Sequence, residues 1–103
     1  GLRTHMLVCI GSTLITLTSL EMFPNDPARV AAGIVTGIGF LGAGTIFRDK
    51  NNVRGLTTAA SIWAVAGVGL ALGTGAYFIA VVATIAMLLT LELGRITSLL
   101  KRR

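Results

Sequence analysis

Four long apolar stretches dominate this chain of 103 residues and constrain its fold more than any other feature. They cover residues 6–23, 30–47, 56–72 and 77–100. A helix needs about 17 to 25 apolar residues to cross a hydrocarbon core of about 30 Å, so each stretch is long enough to span it. Only 13% of the residues are charged, whereas a typical soluble domain has about 25%. The sequence therefore predicts an all-α, polytopic membrane bundle with four transmembrane helices in a single domain.

The breaks between these stretches are polar or rich in turn residues. Asp26 and Pro27 are typical of a helix N-cap followed by a proline in the first turn. Arg48-Asp49-Lys50-Asn51-Asn52 is too polar to stay in the hydrocarbon, which predicts a loop outside it. Residues 73–75 predict a tight turn before the fourth helix. His5 is expected in a short polar segment ahead of the first helix.

The basic residues predict the orientation of the four spans. Arg29 falls on one side of the membrane. The other eight fall on the opposite side, namely Arg3, Arg48, Lys50, Arg54, Arg95, Lys101, Arg102 and Arg103. By the positive-inside rule, both ends of the chain are expected in the cytoplasm. The tail 101–103, and the basic residues of the middle loop, are also candidates for contact with anionic lipid headgroups. Nucleic-acid binding is not expected, because the spans separate the basic residues and no groove-binding motif accompanies them.

Glycines at helical spacing predict close packing of the second and third spans. The segment Gly37–Gly42 matches the dinucleotide pattern G-x-G-x-x-G, but it lies inside an uncharged apolar run without the strand and acid that this chemistry requires. Small residues four apart instead allow two helix backbones to approach closely. The candidate packing residues are Gly33, Gly37, Gly39, Gly42, Gly44, Gly69 and Gly73. Packing within the chain is favoured over a homo-oligomer, which remains the alternative.

The glycines between residues 37 and 44 raise a second hypothesis. Glycine costs about 1 kcal/mol relative to alanine in a helix, so four glycines in eight residues could kink or unwind this segment. A broken helix is tolerated in the membrane where it is buried in protein or lines a cavity.

Two longer motifs resemble the signature of a known family. The first is GIGFLGAGTIFR, residues 37–48, and the second is VRGLTTAASIW, residues 53–63. Together with the opening GLRTHMLV, they resemble the MgtC/SapB family of bacterial inner-membrane proteins over essentially the whole chain. The resemblance implies the transmembrane domain of such a protein. Family members typically have about five spans, so a first helix is expected to be missing here, as is any cytoplasmic C-terminal domain.

The resemblance also implies a regulatory role rather than catalysis. Proteins of this family are linked to growth in low magnesium and to survival of pathogens inside macrophages. They are thought to restrain the rotary ATP synthase, whose membrane subunits are therefore the expected partner along with the lipid bilayer. An older family label, magnesium transporter, supplies an alternative.

Residues that could carry transport or catalysis are few. Glu21 and Glu92 lie near the ends of spans one and four and are weak candidates for binding a metal ion, since no acid lies at mid-bilayer. Glu92 and Arg95 are three apart and predict an ion pair on one helix face. His5 and Cys9 are the only histidine and cysteine and supply too few ligands for a metal site. No enzyme activity and no cofactor are expected.

The remaining polar cluster begins the third span. Thr57, Thr58 and Ser61 could form hydrogen bonds with a neighbouring helix or partner, or could bond back to their own helix. Trp63 lies well inside the span and is a candidate packing anchor or partner contact. The favoured function is a regulator that binds another membrane complex through helices. The alternatives are a subunit of a magnesium or other cation transporter or channel, and a structural oligomerisation domain.

Overall fold

A computed structural model describes residues 1–101, which form four helices and one short β-hairpin. In chain order the elements are α1 (Leu2–Met22), α2 (Pro27–Ala43), β1 (Phe47–Asp49), β2 (Asn52–Arg54), α3 (Leu56–Thr74) and α4 (Tyr77–Lys101). Each predicted apolar stretch is mainly helical, which confirms the all-α class. The sequence-based assignment of Arg102 and Arg103 as lipid contacts lies outside the described residues.

The helices differ in how well they match the thickness of a membrane. α1, α3 and α4 have 21, 19 and 25 residues and are long and apolar enough to cross one. α2 is also apolar but has 17 residues, which at 1.5 Å per residue span about 25 Å. This is close to the lower limit for a transmembrane helix.

The observed helix ends agree with the predicted ones where the sequence has typical capping residues, and differ from them where it has none. Asp26 is the N-cap of α2 and Pro27 opens its first turn, as predicted. α1 begins at Leu2, so the expectation of a leading loop around His5 is wrong. Hydropathy marks where the apolar residues start, whereas a helix continues through polar residues that do not break it.

The glycine-rich end of α2 remains helical to Ala43, so the proposed unwinding within residues 37–43 is wrong. In a lipid environment each backbone N–H and C=O must find a partner inside the protein, which favours an intact helix over an open segment. The helix ends with a hydrogen bond from Gly44 N to Phe40 O of 3.2 Å. The Thr45 hydroxyl then donates to Gly42 O at 2.7 Å.

The loop predicted after the second span is instead an antiparallel β-hairpin. Phe47 pairs with Arg54, and Asp49 pairs with Asn52 at the turn. There the Lys50 backbone N–H donates to the Asp49 carboxylate at 2.8 Å. Gly55 joins the hairpin to α3 with a φ of 83°, a conformation that glycine adopts without strain.

α3 is the central helix of the bundle, since it packs against α1, α2 and α4. Its most extensive interface is with α1. The prediction that spans two and three form the tightly packed centre is therefore wrong about span two, because α1, and not α2, is the helix that packs most closely on α3. The buried residues of α3 include Ile62, Ala66, Gly69 and Gly73, which lie on the side facing α1. α4 lies at the periphery, with Ala80 as its buried residue.

The structure brings the start of α1, the end of α2, the start of α3 and the end of α4 together at one end of the bundle. We call this the basic end, because it also holds the hairpin. The positive side chains there, Arg3, Arg48, Lys50, Arg54, Arg95 and Lys101, are all exposed. Arg29 begins α2 at the opposite end, where it pairs with Asp26 at 3.1 Å. The asymmetry of charge predicted from the sequence is therefore present along the bundle.

We predict that Gly69→Ala destabilises the bundle by about 1–3 kcal/mol, which is the usual range for overpacking. A Cβ at this position would lie 2.5 Å from Cys9 O and 2.8 Å from Ser12 Cβ. Gly67→Ala is the matched control, because its added methyl meets no atom within 4 Å. Unfolding in detergent, followed by circular dichroism, measures both variants. Equal stability of the two variants would contradict this packing.

A second prediction concerns the hairpin. Gly55→Ala should destabilise it strongly, because the new Cβ would overlap Thr45 O and the residue would have a positive φ. Gly75 has the same φ of 83°, but a Cβ added there would meet no atom within 4 Å. Gly75→Ala therefore measures the cost of the backbone strain alone. The difference between the two unfolding temperatures measures the overlap. No difference would mean that the hairpin does not close tightly at its base.

Candidate functional site

The polar cluster at the start of α3 lies at the basic end. Thr57 and Thr58 are exposed and Ser61 is half-buried. The Ser61 hydroxyl lies 2.8 Å from Thr58 O on its own helix and 2.7 Å from His5 Nε2 on α1. The two interpretations left open by the sequence, bonding within the helix and bonding to a neighbour, are both present at Ser61.

A groove opens between α3 and α4 beside this cluster, with a volume of about 280 Å³. On α3 its walls are Thr57, Ala60, Ser61 and Ala64, which are spaced to share one helix face. On α4 the walls are Ala86, Met87, Thr90 and Leu91. We call this the docking groove. Its small side chains leave room for a helix to approach closely, and three hydroxyls line it.

Trp63 is not part of the docking groove. It lies on another face of α3, where it lines a small cavity of about 210 Å³ together with Ile34 and Val35 of α2. Its side chain is 55% exposed. One edge of the indole can therefore pack against α2 while the other is accessible to lipid or to a partner.

The predicted packing glycines have different environments. A Cβ at Gly73 would lie 2.6 Å from Thr16 Cβ of α1, so Gly73 forms part of the tight α1–α3 interface together with Gly69. A Cβ at Gly42 would be in ordinary contact with Ala59 O, at 3.4 Å, and one at Gly44 would meet Leu41 O of its own helix at 3.3 Å.

The other three candidates, Gly33, Gly37 and Gly39, have no atom within 4 Å of an added Cβ, so within residues 1–101 they make no close contact with a neighbouring helix. Gly33 and Gly37 instead line an apolar groove of about 580 Å³ between α1 and α2. The physical reason is that α1 approaches α3 more closely than α2, and a small residue contacts a neighbour only where that neighbour comes close.

Hydroxyl groups on α1 form a part of the interface that the sequence analysis missed. The Ser12 hydroxyl donates to Ala66 O of α3 at 2.7 Å in a buried position. The Thr13 hydroxyl lies 2.8 Å from Cys9 O and 3.0 Å from Gly69 O, so its proton is shared between the two helices. The spacing of Ser12, Thr16 and Ser19, four and then three residues apart, could have identified this face.

Thr16 completes that face with a buried hydroxyl that has no hydrogen-bond partner among residues 1–101. It lines a cavity of about 460 Å³ with Ser19 and Thr74, at the end of the bundle away from the hairpin. The Ser19 hydroxyl donates to Thr16 O at 2.7 Å.

The acidic residues are exposed and separate. Glu92 lies 3.8 Å from Arg95, which confirms the predicted ion pair. Glu21 lies near the end of α1, at the opposite end of the bundle. Within residues 1–101 no three histidine, cysteine, aspartate or glutamate side chains come close enough to hold a metal ion.

The exposed surfaces of the helices define the class of protein. Large apolar side chains such as Phe40, Phe78 and Leu88 are 85%, 82% and 61% exposed, and α4 presents apolar residues around most of its circumference. A surface of this kind is stable in lipid and not in water. The chain is a polytopic α-helical membrane protein.

Comparison with known sequences identifies the family. The chain belongs to the MgtC family, whose sequence profile matches residues 1–99. It is 51% identical over 88 residues to Protein MgtC of Salmonella typhimurium (strain LT2), covering 85% of this chain and 38% of that protein. It is 52% identical over 86 residues to Protein MgtC of Brucella abortus, covering 82% of this chain and 36% of that protein.

A third relative has a different name. The Escherichia coli (strain K12) protein named "Putative magnesium transporter YhiD" is 43% identical over 101 residues, covering 89% of this chain and 47% of that protein. The chain thus spans less than half the length of these relatives. No solved structure matches it.

We predict that Ser12→Ala weakens the α1–α3 interface by about 1 kcal/mol, which is typical of a hydrogen bond between membrane helices. Thr18→Ala is the control, since the exposed Thr18 hydroxyl bonds only Leu14 O of its own helix, at 2.8 Å. Denaturation of both variants in mixed detergent micelles gives the two free energies of unfolding. If Thr18→Ala is as destabilising as Ser12→Ala, the bond to α3 adds nothing to stability.

Proposed function

We propose that this chain is the membrane domain of a regulatory protein that binds a larger membrane complex through helix contacts. The partner is the membrane part of the ATP synthase, in keeping with the resemblance to the MgtC/SapB family. In this proposal the basic end faces the cytoplasm of a bacterium and the domain lies in the inner membrane. Restraint of the ATP synthase would support adaptation to low magnesium and survival inside host cells.

The observation that supports the proposal is the docking groove. A transmembrane helix that packs against Ala60 and Ala64 would gain dispersion contact along its backbone, which is the main source of helix association in lipid. Thr57 and Thr90 would offer hydrogen bonds at the edges of the contact. The Thr90 hydroxyl bonds Ala86 O of its own helix at 2.8 Å, so its oxygen can still accept a bond from a partner.

We predict that Ala60→Leu, which fills the docking groove, lowers co-purification of the ATP synthase from bacterial membranes at least several-fold. Thr57→Leu should also lower co-purification, because it removes a hydroxyl and narrows the same groove. Val82→Leu on the exposed face of α4 is the matched control and should retain the wild-type yield. Unfolding temperatures of all three variants identify any loss caused by misfolding.

Full co-purification with the Ala60→Leu variant, at normal stability, would exclude the groove as the binding surface. A loss with Trp63→Ala alone would place the contact on the face of α3 that carries Trp63, next to α2. A change only in the size of the protein's own oligomer would favour the structural alternative.

Magnesium transport is the second candidate, and the name of the Escherichia coli relative supports it. It requires that reconstituted protein move Mg²⁺ across liposomes in a manner that depends on acidic side chains. Glu21→Gln and Glu92→Gln test this directly, since these are the acids that end spans one and four. Uptake that is abolished by either change, with the ATP synthase contact unaffected, would favour transport over regulation.

A further inference from the structure

The β-hairpin between α2 and α3 stands apart from the core of the bundle. Its two strands pair with each other, and within residues 1–101 neither has an extensive interface with a helix. Every residue of both strands is exposed, including the large apolar side chains of Phe47, at 68%, and Val53, at 56%. The side chains of the hairpin are therefore available to a molecule outside the chain.

The strand register gives the two faces of the hairpin a similar composition. Residues paired across an antiparallel ladder project to the same face, and successive residues along a strand alternate between faces. Arg48 pairs with Val53, and Phe47 pairs with Arg54. Each face therefore carries one arginine beside one large apolar side chain. An antiparallel sheet that packs on a protein core has one apolar and one polar face, which this hairpin lacks.

The positive charge of the hairpin is not neutralised within the described chain. Residues 47–54 contain three basic side chains and one acidic side chain, so their net charge is +2. Within residues 1–101 no ion pair involves Arg48, Lys50 or Arg54. The carboxylate of Asp49 accepts the Lys50 backbone N–H at 2.8 Å. The two arginines therefore remain available to an anion from outside the chain.

Short connections hold the hairpin at the boundary of the membrane. Residues 44–46 separate it from α2, and Gly55 alone separates it from α3. Its base is closed tightly, because a Cβ on Gly55 would overlap Thr45 O. Strands of three residues are about 10 Å long, at about 3.3 Å per residue. The headgroup layer on each side of a bilayer is about 5 to 7 Å thick. Most of the hairpin therefore lies at the depth of the headgroups.

We propose that the hairpin binds the headgroups of anionic phospholipids. Its two arginines contact lipid phosphates, whose geometry the guanidinium group matches, and Phe47 and Val53 reach the acyl chains beside them. Positive charge alone made the basic residues candidates for lipid contact, and the hairpin adds an apolar side chain beside each arginine at a fixed depth. An acidic protein in the water would meet Lys50 and Asn51 at the turn first. Lipid binding here involves neither the docking groove nor the partner proposed for it.

The first test measures lipid binding to the detergent-solubilised chain by native mass spectrometry. Phosphatidylglycerol is the anionic probe, and phosphatidylcholine, whose headgroup has no net charge, is the control lipid. Each basic side chain near an anionic surface strengthens binding about five-fold, so Arg48→Gln/Arg54→Gln should bind phosphatidylglycerol at least about ten-fold more weakly than the wild type. Arg29→Gln/Arg95→Gln removes the same charge from arginines that are paired with carboxylates, and should retain the wild-type affinity.

Three results of this test would overturn the proposal. Equal losses in the two double variants would mean that net charge, and not the hairpin, attracts the lipid. Equal affinities of the wild type for the two lipids would mean that the hairpin does not select anionic headgroups. Inorganic phosphate in large excess should not displace the lipid, and displacement would mean that the site binds the free anion.

The second test measures the depth of the hairpin in vesicles that contain phosphatidylglycerol and phosphatidylcholine. Cys9→Ala removes the single cysteine of the chain, so that a spin label can be attached to Val53→Cys or to Asn51→Cys. The label at position 53 should collide less often with a water-soluble relaxation agent than the label at position 51 on the turn. Equal collision rates at the two positions would place the hairpin in water and contradict lipid binding, even if the charge variants in the first test fail to fold.

Discussion

The close approach of α1 to α3 is the contact on which the other features of the bundle depend. Lipid is as apolar as the helix surfaces, so burying leucine side chains between helices gains little free energy. The helices must therefore associate through dispersion contacts and hydrogen bonds. Gly69 and Gly73 present no side chain to α1, which brings Ser12 and Thr13 close enough to reach carbonyl oxygens of α3. The hydroxyl groups of Ser12 and Thr13 thereby form hydrogen bonds in a place where water could not supply them.

This contact also determines which surfaces remain open. Because α3 is engaged by α1 on one face, its opposite face meets α4 across the docking groove. α2 is left with a looser contact to α1, and its glycines border an open apolar groove. The polar end of the interface, at His5 and Ser61, lies beside the docking groove. The same helix pairing therefore provides both the stability of the bundle and the shape of its candidate binding surface.

The sequence was sufficient to predict the class and most helix boundaries, because an apolar run of this length has few other stable forms. It was insufficient to predict which small residues pack. Gly37 and Gly73 both occur at helical spacing, yet only Gly73 meets another helix, and that difference depends on tertiary geometry. The hairpin was missed because strands of three residues are too short for an alternating pattern to be recognised. The contact between His5 and Ser61 was not predicted because the two residues are 56 positions apart in the sequence.

The fit between α1 and α3 has a consequence for how such sequences can diverge. The side chains opposite Gly69 and Gly73 are those of Ser12 and Thr16, and each pair has room for one side chain, not two. A larger residue at position 69 is compatible with this fold only if α1 moves away, because the backbone oxygen of Cys9 would lie 2.5 Å from the added Cβ whatever residue stands at position 12. Position 69 is therefore expected to stay glycine in proteins that keep this bundle, whereas positions 16 and 73, where the nearest contacts are side-chain atoms, are expected to change together. The open positions 33 and 37 are free of that constraint within a single chain.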